Sequence, residues 1–79
     1  MIKEGRMGYN SQNDRFGLLI NDLWEIEGFH CGEAIDILVN GEWLHTRVEM
    51  QREKGKNIWY LVDTPYKGDD LEGLHIRIE

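Results

Sequence analysis

The dipeptide Asn40-Gly41 constrains this chain more than any other feature, because it joins two runs of strand-forming residues with nothing between them. A two-residue β-hairpin loop of the type I′ form needs positive φ at both positions, and Asn-Gly is the pair that adopts this at least cost. The flanking runs are Glu33–Val39 and Glu42–Met50. Once the loop is fixed, so is the register: Val39 faces Glu42, Leu38 faces Trp43, Ile37 faces Leu44, Asp36 faces His45, and Ile35 faces Thr46. Side chains alternate between the two faces of a strand. One face therefore carries Ile35, Ile37, Val39, Leu44, Thr46 and Val48, and is assigned to the core. The other carries Ala34, Asp36, Leu38, Trp43, His45 and Arg47.

The rest of the chain punctuates in the same way. Glu4–Tyr9 and Arg15–Ile20 read as strands joined by the turn formers Asn10 to Asp14, which makes a hairpin with a loop of about four or five residues. Ile58–Asp63 is a further strand, reached through a charged loop at 51–57 that bends at Gly55. In that reading Trp59 and Leu61 alternate away from Ile58, Tyr60 and Val62, and join the outer face. Leu74–Glu79 alternates with Leu74, Ile76 and Ile78 inward and His75 and Arg77 outward. Asp69–Glu72 suits a single helical turn. Residues 21–32 read as a loop that lays Trp24 or Phe29 over an open end of the fold. No segment has a sustained helical period. The fold class expected is mostly β: a small antiparallel five- to six-stranded barrel or curved sheet, SH3-like, with an OB-like barrel as the alternative.

With 79 residues, positions 1–79 are expected to form one small domain, short for an enzyme because a pocket would have to be carved from a thin core. The single cysteine, Cys31, excludes an intrachain disulfide and favours a cytoplasmic location. No stretch approaches the roughly 20 apolar residues of a membrane span, so no membrane association is expected. Fifteen acidic against nine basic residues give a net charge of −6, which opposes direct binding to nucleic acid.

Chemistry-bearing residues are few. His30, Cys31, His45 and His75 are the conceivable soft ligands, but the spacing matches no zinc pattern, and neither a metal nor a cofactor is implied. A Cys31 nucleophile would need a base that its neighbour His30 is poorly placed to supply. The bland reading makes Cys31 a small buried residue and His30 a solvent-edge one. The outer stripe is a stronger candidate. Leu38, Trp43, His45, Arg47 and Trp59 combine the residue types that dominate protein-binding hot spots; the bland reading makes the aromatics a second layer of core. An enzyme is not expected.

The segments Gly5–Asn10, Arg15-Phe16-Gly17, Gly28-Phe29-His30-Cys31-Gly32-Glu33, Asn40-Gly41-Glu42-Trp43, Thr46–Glu49, Trp59–Val62 and Leu71–Ile78 together resemble a domain-of-unknown-function family. Its members are short proteins encoded largely on conjugative transposons and related mobile elements of Gram-positive bacteria. The resemblance implies a bacterial accessory protein and carries no catalytic residue. It marks Gly28, His30, Cys31 and Glu33 as a signature loop, either a fixed turn or a functional one. Three readings of function follow. The first is a module that binds another protein through the outer face. The second is an acidic nucleic-acid mimic that blocks a nuclease, for which Glu4, Glu25, Glu27, Glu49, Asp69, Asp70 and Glu72 would have to cluster. A thiol or metal activity at His30 and Cys31 is a third.

Overall fold

The computed structural model describes residues 1–79. Seven antiparallel strands form one sheet: β1 (Lys3–Asn10), β2 (Arg15–Ile20), β3 (Leu23–Ile26), β4 (Ala34–Val39), β5 (Glu42–Glu53), β6 (Lys56–Leu61) and β7 (His75–Ile78). The spatial order is β3-β2-β1-β7-β4-β5-β6. Two three-stranded meanders, β1–β3 and β4–β6, are thus joined edge to edge by the last strand. A single 3-10 turn at Gly68–Leu71 precedes β7 and buries Leu71. No helix is long and apolar enough to cross a membrane.

The sheet stays open, with β3 and β6 at its two edges, so the expected barrel closure is replaced by the curved sheet that was its companion expectation. The curvature shows in one contact. Trp59 on β6 donates its indole N–H to the carbonyl of Asp14, in the β1–β2 turn, at 2.9 Å, although three strands separate β6 from β1. Inside this curl lies a core formed by Met7, Phe16, Leu18, Phe29, Ile35, Ile37, Val48, Trp59, Leu61, Leu71 and Ile76. Gly17 permits the bend: a Cβ there would lie 2.1 Å from the carbonyl oxygen of Ile26 on β3. The two buried polar residues are both satisfied. Asn10 donates to the carbonyl of Glu27, and Thr46 to that of Val62.

The β4–β5 register is the one expected from Asn40-Gly41, with φ of 52° and 81° at the two turn positions. The first hairpin also stands, with Asn10 opposite Arg15 across four loop residues. Other expectations change. Leu23–Ile26 is a seventh strand and not a covering loop, because Asn21 and Asp22 both adopt positive φ (52° and 63°) and reverse the chain in two residues. Asn and Asp tolerate that region better than other non-glycine residues. Trp24 consequently stands opposite Leu19, and only Phe29 enters the core.

The 51–57 loop is likewise two residues long. Lys54 and Gly55 (φ 51° and 80°) make the turn, β5 runs to Glu53, and β6 begins at Lys56. That turn pairs Met50 with Trp59 and Val48 with Leu61. Leu61 shares the face of the buried Val48, and Trp59, two residues along, shares it too. Trp59 is therefore 5% exposed and belongs to the core, which corrects its assignment to the outer stripe. Leu44 moves the other way. It is 40% exposed, because β6 ends at Leu61 and leaves the side of Leu44 away from β4 without a strand.

Replacing Trp59 by Ala is expected to cost about 3–5 kcal/mol, the range for deleting a buried aromatic, and to leave the Asp14 carbonyl without its donor. Replacing the half-buried Trp43 by Ala is expected to cost about 1 kcal/mol. Urea unfolding of the two variants checks the order; the reverse order would invalidate the face assignment.

Candidate interaction face

Asp36 lies at the middle of β4, between two neighbouring strands. Its direct partners are His45 on β5 and Arg77 on β7. Both reach its carboxylate: Nδ1 of His45 lies 2.8 Å from Oδ1, and Nε of Arg77 donates to Oδ2 at 3.0 Å. The His45 bond, then the Arg77 bond, holds the Asp36 carboxyl below its ordinary value, against a smaller opposing effect of desolvation. Because the carboxylate stays ionised, His45 is the donor in the bond they share.

From Arg77 the network continues diagonally. Its guanidinium carbon lies 4.1 Å from the centroid of the Trp43 ring. A cation over an indole face at a partly exposed site contributes about 0.5–1 kcal/mol. Trp43 packs at 5.6 Å, tilted by 46°, against the imidazole of His75, and Nε2 of His75 lies 2.6 Å from Oε2 of Glu4 on β1. Glu4, His75, Trp43, Arg77, Asp36 and His45 thus form a ladder across four adjacent strands, β1, β7, β4 and β5.

Of the expected stripe, Leu38, Trp43, His45 and Arg47 lie on this outer face. Leu38 and Trp43 are half-buried, while His45 and Arg47 are exposed. Arg47 stands outside the ladder, opposite Ala34, with its Nε 3.3 Å from Glu49. Trp59 is absent from the face. Asp36 was already placed there opposite His45 by the hairpin register; Glu4, His75 and Arg77 are the members whose approach to the ladder sequence reasoning did not place. The outward alternation of His75 and Arg77 was visible, but the seating of β7 between β1 and β4 was not. The segment 21–32 does not cover the ladder. Phe29 is in the core, and Trp24 lies against Gly8 and Gly17 on the β1–β2 side.

The segment 28–33 contains a tight turn. The amide of Glu33 donates to the carbonyl of His30 at 3.2 Å, and Gly32 supplies a φ of 91° at the third turn position. The Glu33 carboxylate folds back to accept from the His30 amide at 3.1 Å. Gly32 and Glu33 then clamp onto Val48 with two backbone bonds of 2.8 and 2.9 Å. At Gly28 a Cβ would lie 2.8 Å from the side chains of Arg15 and Asn13, which would have to shift to admit it. Cys31 sits at the corner of the turn and is exposed, not buried as the bland reading had it. The histidines are each placed near a carboxylate: His30 by Glu33, His45 by Asp36 and His75 by Glu4. No three of the His, Cys, Asp and Glu side chains converge on one point.

The family model described as Domain of unknown function (DUF5348) matches residues 5–78. The chain belongs to that family. Its fold is also that of a crystal structure of a protein from Ruminococcus gnavus, a structural-genomics target. The likeness has a TM-score of 0.77 and 30% identity, and it covers 96% of this chain and 100% of that one. No curated protein matches this DUF5348 chain.

Two outcomes follow from the geometry. Asp36 has a lowered carboxyl pKa, so its contribution to stability is complete above the ordinary value of 3.8 and is lost as the pH falls through the folded value. Asp36→Asn should therefore lower the unfolding midpoint at neutral pH, with the gap to wild type closing as the pH falls below the ordinary carboxyl value of 3.8. A gap independent of pH would remove Asp36 as the charged hub. Cys31→Ser, at an exposed corner, should leave stability within about 0.5 kcal/mol; a larger loss in chemical denaturation would mean that the thiol is engaged.

Proposed function

We propose that this protein is a non-enzymatic interaction module, a cytoplasmic accessory component of a bacterial mobile element, which engages another protein through the outer face of β4, β5 and β7. One observation carries the reading. The ladder centred on Trp43, Arg77 and Asp36 is laid across the sheet and no other segment of the chain covers it. Tryptophan and arginine in a rigid, partly desolvated setting are the groups that anchor protein interfaces. Here they are held in place by neighbours before any partner arrives, which lowers the ordering cost of binding. Reading the curved sheet as an SH3-like scaffold suits this use, since the chemistry then sits on the surface of a fixed framework.

The acidic residues are distributed in a way that favours this reading over nucleic-acid mimicry. Glu4, Glu25 and Glu49 face His75, Lys3 and Arg47, so three of the seven carboxylates that would have to cluster are instead paired locally. A mimic needs a run of unpaired charge.

The test is a comparative capture from the bacterial host. Tagged wild-type protein is set beside Trp43→Ala with Arg47→Ala, and beside a control substitution, Leu23→Ala, on the far edge strand. The expected result is a partner held by wild type and control and reduced at least about tenfold, or about 1.4 kcal/mol, with the double variant. Equal recovery by all three would exclude this face as the binding surface.

A further inference from the structure

We infer that a hollow between the β1–β2 turn and β6 is a receptor for an arginine side chain presented by a partner protein. It is a second surface, and it does not depend on the outer ladder. The hollow has a volume of about 230 Å³ and is lined chiefly by Tyr9, Asp14, Phe16, Asn57, Trp59 and Asp69. A water molecule's share of liquid volume is about 30 Å³, so the space suits a side chain rather than a single trapped water.

Tyr9, 44% exposed, is the aromatic wall open to a ligand; it packs edge-on against Phe16 with ring centroids 5.4 Å apart, and Phe16 and Trp59, each 5% exposed, form the apolar floor beneath it. The rim is acidic, and its charge is not neutralised. Neither Asp14 nor Asp69 takes part in an ion pair. Asp14 accepts the Tyr9 hydroxyl on Oδ1 at 2.5 Å, whereas its Oδ2 has only a long contact of 3.5 Å from Asn57. At that distance the contact is weak, and the oxygen retains its capacity to accept. Two resident cations stand near the hollow without lining it: Arg52 donates to Oδ1 of Asn57 at 3.3 Å, and Arg15 is committed elsewhere. It donates to the carbonyl of Phe29 at 2.9 Å with its guanidinium carbon 5.3 Å from the Trp59 ring centroid, and it does not line the hollow.

An aromatic wall with free carboxylates at the rim recognises a cation that is flat and weakly hydrated. Guanidinium meets both conditions: it stacks on aromatic faces and forks onto carboxylate oxygens, whereas ammonium is compact and strongly hydrated. A chain with a net charge of −6 also attracts a basic partner over distance. Tyr9 fixes the geometry. Its hydrogen bond to Asp14 keeps the phenol protonated to higher pH than usual and holds the carboxylate toward the hollow.

The experiment is a titration of isotope-labelled protein with three capped tripeptides, Gly-Arg-Gly, Gly-Lys-Gly and Gly-Gln-Gly. The arginine peptide should give saturable shifts of the Tyr9, Asp14, Asn57 and Asp69 amides and of the Trp59 indole N–H. Dissociation constants on the order of millimolar are expected for one side chain. The lysine peptide should bind several-fold more weakly, and the glutamine peptide should not saturate. Asp14→Asn combined with Asp69→Asn should weaken the arginine peptide at least about tenfold, as should raised salt. Asparagine suits the positive φ of 56° at position 14 and keeps an acceptor for Tyr9, so the variant retains its fold, as its amide spectrum would show. Equal shifts from the glutamine peptide, undiminished binding by the double variant, or no saturable shift at all would overturn the assignment. Equal affinity for lysine would overturn the choice of guanidinium.

Discussion

Two-residue turns at positive φ set everything else in this molecule. Three of them, at 21–22, 40–41 and 54–55, reverse the chain with no slack. A strand pair closed by such a turn has one register, and a slip by one residue would exchange its faces. The turns at both ends of β5 act together. One places Trp43 on the outside against Leu38, and the other places Trp59 on the inside against Met50. Sixteen positions apart and chemically identical, the two tryptophans have opposite duties because of turn geometry alone. In a chain with only 15 buried residues, the loss of one aromatic from the core would be a large share of what holds it together.

How much of this could be read from the chain follows from the strength of each turn signal. Asn40-Gly41 is unambiguous, and the pairing it dictates was legible down to individual partners. Lys54-Gly55 carries the same geometry in a weaker form, since lysine has no special tolerance of positive φ; treating it as a longer loop shifted the phase and put Trp59 on the wrong face. Asn21-Asp22 was absorbed into a single loop over 21–32, because the four residues after it are too few and too exposed to show alternation, so β3 was not visible. The ladder was half legible. Asp36, Trp43 and His45 lie on a hairpin whose register is local, whereas Glu4, His75 and Arg77 reach them through β7, and no local pattern tells which strands the last one will join.

The polar ladder and the apolar core serve complementary ends. Asp36 is two-thirds or more shielded and gains a donor from each neighbouring strand, so the outer face is ordered without being hydrophobic. Trp43 contributes contact area while Arg77 and His75 cover its faces. An open aromatic stripe on so small a sheet would invite self-association. A stripe wrapped in charge remains recognisable to a partner that can match both the ring and its polar frame. The turn at 30–33 stands at the end of the same hairpin, clamped to Val48, and stiffens the start of β4, on which Asp36 depends.

The position of β7 also shapes how the chain becomes a protein. Each meander can form from neighbouring sequence as soon as it is made, but the strand that unites them comes last, pairing Lys3 with Ile78 across nearly the whole chain. Contacts of such separation are slow to form because loop closure comes before any gain from them. Until β7 docks, β1 and β4 each present a bare strand edge to the surroundings, the condition under which nascent sheets find the wrong partner. The strand that completes the ladder is therefore also the step at which folding competes with aggregation, so a change in β7 would be felt in yield and solubility as well as in binding.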